Sequence, residues 1–291
     1  MPINIRSTVL VAATTQDLVD LATARDELAI VVNDTSHDTA LTRYIKQCSA
    51  VIAKYCNRVF PVESVLDVLR PAEDPYRFRR AVDDSLLQLS RWPLVNAQPV
   101  TFTGTIAANN VLITSVSSTT GLQAGMLIFA DCLPVPTLVK EVSPYTVLLE
   151  TAATTAGTQA SFTAGIQVIQ TIDSSTTRTL VYGEDFDVDE DTGWLIRIDQ
   201  RYGRRRPWER YPVSVRYQAG YAEIPADLQM ACLRLVAERF RGRGRDPLLV
   251  QREQPGLATE RWWVGPTPGQ HGALPPEIEN LVSQYRVPVN A

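Results

Sequence analysis

Between Gly104 and Gly165 the chain carries only four charged side chains in 62 residues: Asp131, Lys140, Glu141 and Glu150. At the chain-wide charged fraction of 21%, that stretch would hold about thirteen. Thr, Ser, Ala, Val and Gly dominate it. Short runs of β-forming residues ("VLITSV", "GMLIFA", "TLVKEV", "TVLLET", "ASFTAG") alternate with turn residues. Several short strands at such spacing predict a small β-sandwich or barrel. An unstructured loop of this length is uncommon in a compact domain. The shift in composition marks residues 103–165 as an all-β domain inserted into a host. The host is then made of residues 1–102 and 166–291, the latter ending in a C-terminal arm from about 275.

The host reads as mixed. Asp17 to Ile30 has the apolar spacing of a short helix. After the polar break "NDTSHD", Asp38 is placed to cap a longer helix running to about Asn57. Leu41, Ile45, Cys48, Ile52 and Tyr55 form its apolar stripe at spacings of three and four. "VESVLDVLR" and "SLLQLSRWPL" read as strands, and Pro93 and Pro99 bound a turn or an edge segment. Beyond the insert, "IQVIQTI", "TRTLVYG" and "VSVRYQAGY" are strand-like, and "DFDVDEDTGWLIRID" reads as a hairpin turning near Asp191–Gly193. A polar loop carrying Trp262 and Trp263 follows Pro247, then a short helix from Pro276 and an extended tail. The expected fold class is α+β: a small helical bundle with a short β-hairpin or sheet region, plus the inserted all-β domain.

The stretch "PADLQMACLRLVAERFRGRGRDP", residues 225–247, predicts another helix. At 100° per residue Asp227, Arg234, Glu238 and Arg241 fall into a narrow charged stripe. Leu228, Met230, Cys232, Leu233, Leu235, Val236, Ala237 and Phe240 cover roughly 200° of the rest. Such a helix is buried on most sides, at the centre of a domain or between the domain and a neighbouring subunit. Arg241, Arg243 and Arg245 alternate with Gly242 and Gly244 at its exit. Cations suit a helix C-terminus and glycine suits the way out of it. Carboxylates of a neighbouring subunit would suit the same arginines. A second basic run, Arg201, Arg204, Arg205, Arg206 and Arg210, has only Tyr202 and Trp208 among it, a weak pattern for nucleic acid and a better one for a solvated loop.

Other classes find little support. With 28 basic against 32 acidic residues the net charge is −4, whereas a dedicated nucleic-acid binder usually presents a basic surface. Cys48, Cys56, Cys132 and Cys232 contain no CxxC pair, so a structural zinc is not expected and small buried thiols are. "DVDEDTG" fails as a calcium loop: counted from Asp187, Thr192 stands at position 6 and Ile198 at position 12. No phosphate-binding loop, nucleophile elbow or zinc-protease motif occurs, so no enzyme, cofactor or metal is expected. The N-terminal stretch lacks the basic region of a secretion signal, and no run of 18 apolar residues would span a membrane.

The order of elements resembles the head–tail connector, or adaptor, family of long-tailed double-stranded DNA phages and gene-transfer particles. The stretches that carry the resemblance are "DTALTRYIKQCSAVIAKYCNRVF", "LQLSRWPLVNAQPV", "YGEDFDVDEDTGWLIRI", "VSVRYQAGYAEIPADLQMACLRLVAERFRGRGRDP" and "LPPEIENLVSQYRVP". They cover most of residues 17–100 and 166–288. In the family the "RWP" turn runs almost directly into the "DF-x-VD" hairpin. Here some 65 residues intervene, which fits an insertion. The resemblance implies a virion structural protein that forms a ring, usually of twelve copies, beneath the portal protein. The ring extends the DNA channel and docks a stopper or tail-completion protein. Genomic DNA would pass through without sequence-specific binding, and no membrane is involved. The implied subunit or portal contacts are Arg234, Glu238, Arg241, Arg243 and Arg245 on the helix and its exit, and Pro276, Ile278, Leu281, Tyr285 and Arg286 on the arm. Two other readings stay open: a different virion role, tail completion or decoration, carried by the β insert; and nucleic-acid binding by the arginine runs.

Overall fold

The computed structural model describes residues 6–31, 33–70, 85–172, 176–199, 201, 203–209, 211–243, 251–254, 258–261 and 274–287. The fold mixes α and β, and antiparallel strands make up the larger part of it. The chain divides into two compact units, one of residues 1–13 and 62–222, the other of residues 14–61 and 223–291.

The first unit holds three sheets. One contains β1 (Arg6–Val11), β2 (Glu63–Leu69), β16 (Val213–Ala219), β11 (Gln167–Thr171) and β12 (Thr177–Leu180), in that order, with β4 (Leu94–Val95) added on β16. Alternation along β2 buries Glu63, Val65, Asp67 and Leu69 on one face. A second sheet pairs β14 (Trp194–Asp199) with β13 (Phe186–Asp189), β3 (Leu86–Gln88) and β15 (Arg204–Arg205). Val65, Leu87, Leu89, Phe186, Leu195, Trp208, Val215 and Tyr217 belong to one apolar core shared by these two sheets.

The third sheet is the low-charge stretch. It runs β5 (Val100–Ile106), β10 (Gly157–Ala164), β7 (Leu127–Phe129), β8 (Thr137–Ser143), β9 (Thr146–Leu149) and β6 (Leu112–Ile113). Thr105 and Thr114 exchange two backbone hydrogen bonds of 2.8 Å, which brings the last strand back to the first and nearly closes a barrel. Inward residues at period two, Phe102, Ile106, Ile113, Val139, Val147, Leu149 and Phe162, fill the interior. Gly104 lies in the wall because a Cβ there would stand 2.5 Å from Ile113 Cγ2.

The second unit carries the helices. They are α1 (Leu21–Glu27), α2 (Asp38–Cys56), α3 (Ala226–Arg241) and α4 (Pro276–Val282), the last continued by a 3₁₀ turn over Ser283–Tyr285. α2 and α3 pack together, and α1 and α4 pack against them. The α2 stripe is buried at Leu41, Ile45, Cys48 and Ile52, as its spacing requires. Asn57 ends that helix in the left-handed conformation, φ 52°.

Several local expectations need correction. α1 is shorter than residues 17–30, because the Asp20 side chain accepts from Thr23 N and starts the helix there. Asp38 is not the cap of α2. It is the first helical residue and is engaged with Arg25, while His37 occupies the cap position without a capping bond. The segment after Pro247 is not all loop, since β17 (Gln251–Gln254) and β18 (Ala258–Arg261) form a hairpin. The apolar arc of α3 is narrower than expected: Met230 is 45% exposed and Leu233 only half-buried.

Candidate assembly surfaces

α3 is built around a buried face of Leu228, Ala231, Cys232, Leu235, Val236 and Ala237. Ser49 Oγ accepts from Leu18 N at 3.0 Å and lies 3.6 Å from Cys232 Sγ, so it joins the segment before α1 to α2 and α3. The charged stripe of α3 is used largely within its own unit. Asp227, in the first turn, accepts the Tyr285 hydroxyl at 2.7 Å and also Gln284 Nε2. Arg234 lies 3.5 Å from Glu277 of α4. Arg239 donates to Gln47 of α2 at 2.9 Å.

The arginine exit is partly organised as well. Arg243 stacks over the Phe240 ring at 5.4 Å and meets His37 Nδ1 at 3.3 Å, and His37 packs edge-on against Phe240. Arg241 and Arg243 are exposed, and Glu238 is half-buried. Arg245 lies outside the described residues, as do Tyr202, Arg210, Trp262, Trp263 and the tail from Pro288.

The C-terminal segment folds back along the chain's own helices. Leu274, Ile278 and Val282 are buried, Pro276 and Arg286 exposed, and Leu281 and Tyr285 half-buried. Tyr55 donates to Glu279 at 2.7 Å, Val287 N donates to the Cys56 carbonyl at 2.9 Å, and Arg286 covers the Tyr55 ring at 5.1 Å. Of the ten candidate contact residues, Ile278 is therefore core. Arg234, Arg241, Arg243, Pro276 and Arg286 present surface.

In the first unit, three stretches far apart in sequence meet. Leu89 N donates to the Gly193 carbonyl, Leu94 N to that of Glu190, and Gly220 N to that of Pro93. Gly193 has φ 70°, and a Cβ on it would stand 3.0 Å from Trp92 Cβ. So "RWPL", "DTGWL" and "AGY" form one packed corner. Beneath it, Asp67 is fully buried and accepts three bonds, from Ser90 N at 2.7 Å, Ser90 Oγ at 2.8 Å and Tyr217 Oη at 2.8 Å. Burial, then the charge of Asp67, pushes the Tyr217 phenol well above its ordinary value. Arg91 of the same corner pairs with the buried Glu63. Sequence reasoning passed over Asp67, Ser90 and Tyr217. The one signal was that period two sets Asp67 on the same face as Val65 and Leu69.

Elsewhere burial pushes the Asp185 carboxyl up, but the Val181 backbone N–H with Arg197 and Arg178 outweighs it, and the net shift is downward. Burial raises the thiols, Cys48 to about 12 and Cys56 and Cys232 to about 11, which suits packing and not nucleophilic chemistry. Among the described residues no group of three or more His, Cys, Asp or Glu is arranged to hold a metal ion. No described helix is long and apolar enough to cross a membrane.

No protein-family model matches the chain, and no curated protein matches it. Two solved structures are similar over nearly the whole length. A chain from the neck of an empty gene transfer agent particle, computed with C6 symmetry, matches at 13% identity and a TM-score of 0.35, over 97% of this chain and 96% of that one. A chain from the virion of a native gene transfer agent particle matches at 13% identity and a TM-score of 0.35, over 98% and 97%. A TM-score of 0.35 is too low for either likeness to bear on fold or function.

Proposed function

We propose that the chain is a structural protein of a virion neck: an adaptor that assembles as a ring on the portal protein, extends the DNA channel and receives the stopper or tail-completion protein. One observation carries the reading. The short motifs that resemble the adaptor family are one another's partners in space. "RWPL", "DTGWL" and "AGY" form the packed corner, and the Asp227 of "PADL" holds the Tyr285 of "YRVP". Three motifs thus converge within the first unit and two within the second, each set drawn from distant parts of the chain, which chance matches have no reason to do.

In this reading residues 103–165 are a module inserted into the adaptor, and the host is made of residues 1–102 and 166–291. Exposed Arg234, Arg241, Arg243, Pro276 and Arg286 are the side chains offered to a neighbouring subunit or the portal. A net charge of −4 suits a channel past which DNA slides. The test is to image the protein by negative stain and weigh it by native mass spectrometry, alone and mixed with a portal protein from the same genome. Rings seated on the portal are expected, with twelve copies the favoured number. A protein that stays monomeric and leaves the portal bare would end the proposal.

A further inference from the structure

The sheet centred on β14 is electrically lopsided. The turn entering β14 exposes Asp189, Glu190 and Asp191. It is held rigidly, with Asp189 Oδ1 accepting from Asp191 N and Thr192 N at 3.2 Å and Gly193 N donating to the Asp189 carbonyl at 2.9 Å. The Thr192 side-chain bond, outweighing slight desolvation, keeps the Asp189 carboxyl below its usual range, so this end stays anionic. The turn leaving β14 exposes Arg201, Arg204 and Arg205, with Gly203 N bonded to the Asp199 carbonyl. Among the described residues, acids near that end are engaged by groups other than the side chains of Arg201 and Arg204. Asp185 holds Arg178 and Arg197, Glu209 holds Arg206, and Asp199 accepts Arg201 N, which among the described residues leaves Glu184 as an exposed carboxylate near that end. Among the described residues neither Arg201 nor Arg204 has an ion pair.

β14 is six residues long, so the two ends stand roughly 20 Å apart. The screening length at physiological salt is about 8 Å. The ends therefore do not neutralise each other, and each offers its field to an outside partner.

We infer that the partner is a second copy of this chain, with the Asp189–Asp191 turn of one subunit set against Arg201 and Arg204 of the next. Nucleic acid would satisfy the basic turn and be repelled by the acidic one. A copy of the same chain satisfies both. Because the two patches are different places on one subunit, the contact is head to tail, the kind that closes into a ring. The inference rests on the ring reading above and names the contact that would close it.

The test uses two surface variants of the full chain, Glu190→Lys/Asp191→Lys and Arg201→Glu/Arg204→Glu, with circular dichroism to verify folding. Assembly is read by sedimentation, with and without the portal. Each variant alone should weaken self-association about tenfold or more. Mixing the two should restore it, since each reversed turn then faces a complementary one, and so should all four substitutions in one chain. Rings from wild type that survive both reversals would overturn this contact and leave the adaptor reading standing. A charge-dependent dimer that never grows into a ring would support the contact and overturn the ring. A wild type with no self-association in either setting would overturn both.

Discussion

Replacing Tyr285 by Phe tests whether the C-terminal segment is tied to the start of α3. The change removes one hydroxyl and keeps the ring, which packs edge-on against Phe60 with centroids 6.1 Å apart. What is lost is the 2.7 Å bond to Asp227, whose carboxylate also receives Gln284 Nε2 and Leu228 N. A hydrogen bond to a charged group contributes about 1.5–3 kcal/mol net. Asp227 is half-buried and keeps two other donors, so the lower end applies, about 1.5 kcal/mol. Asp227→Asn removes the charge, which also forfeits roughly 0.5 kcal/mol of interaction with the helix N-terminus. If the two groups act through each other, the double variant should lose less than the sum, with a coupling of about 1 kcal/mol. All four described helices belong to one unit, so urea unfolding followed by circular dichroism at 222 nm reports on that unit. A coupling below about 0.3 kcal/mol, within ordinary additivity scatter, would refute the argument. It would also remove half of the motif convergence on which the functional reading stands.

Three further outcomes are expected. Gly193→Ala places a Cβ at φ 70° against Trp92 and should lower the urea midpoint by the equivalent of about 1–3 kcal/mol; an unchanged midpoint would show that the corner is loosely packed. With their pKa values raised by burial, the cysteines should take up no iodoacetamide in the native protein at pH 8, and all four should react once it is denatured; rapid native labelling of Cys48 would contradict its packing. The depressed carboxyl of Asp185 contributes stability above the unfolded-state value of about 3.9, and this is lost as pH falls through the lower folded value. Asp185→Asn should therefore flatten the acid limb of the stability profile, while lowering stability near neutrality by leaving buried Arg197 without its ion pair. An acid limb identical in variant and wild type would assign the pH dependence elsewhere.

Local regularity made much of the fold legible. The α2 stripe, the hairpin of β13 and β14 and the low-charge strands all follow from periodicity and turn residues. What escaped depended on distant partners. β1 has no strong pattern of its own and exists because β2 offers it an edge. β5 begins at Val100, straight after Pro99, and the prolines drew attention to a turn. The breadth of the apolar arc on α3 was overestimated because composition alone does not say which of Met230 and Leu228 faces inward. The arm residues offered no sign that Asp227 would receive Tyr285, since the two are 58 positions apart. Asp67 was the subtlest case: a lone acid in a strand becomes intelligible only when Ser90 and Tyr217 arrive from other parts of the chain.

The barrel starts and finishes at one place. Val100 and Ala164 are register partners on adjacent strands, about 5 Å apart at Cα. To the rest of the chain, everything between them is equivalent to a hairpin loop, so its length adds almost nothing to the entropy of closing the host. Such a segment can be lengthened at its turns, provided that it keeps its seam with β16, where Gln218 Nε2 donates to the Gly125 carbonyl at 2.9 Å and Gln218 Oε1 accepts from Leu127 N at 3.3 Å. A gene lineage could thus vary the turns of the barrel away from that seam at little cost to the sheets on the other side of it.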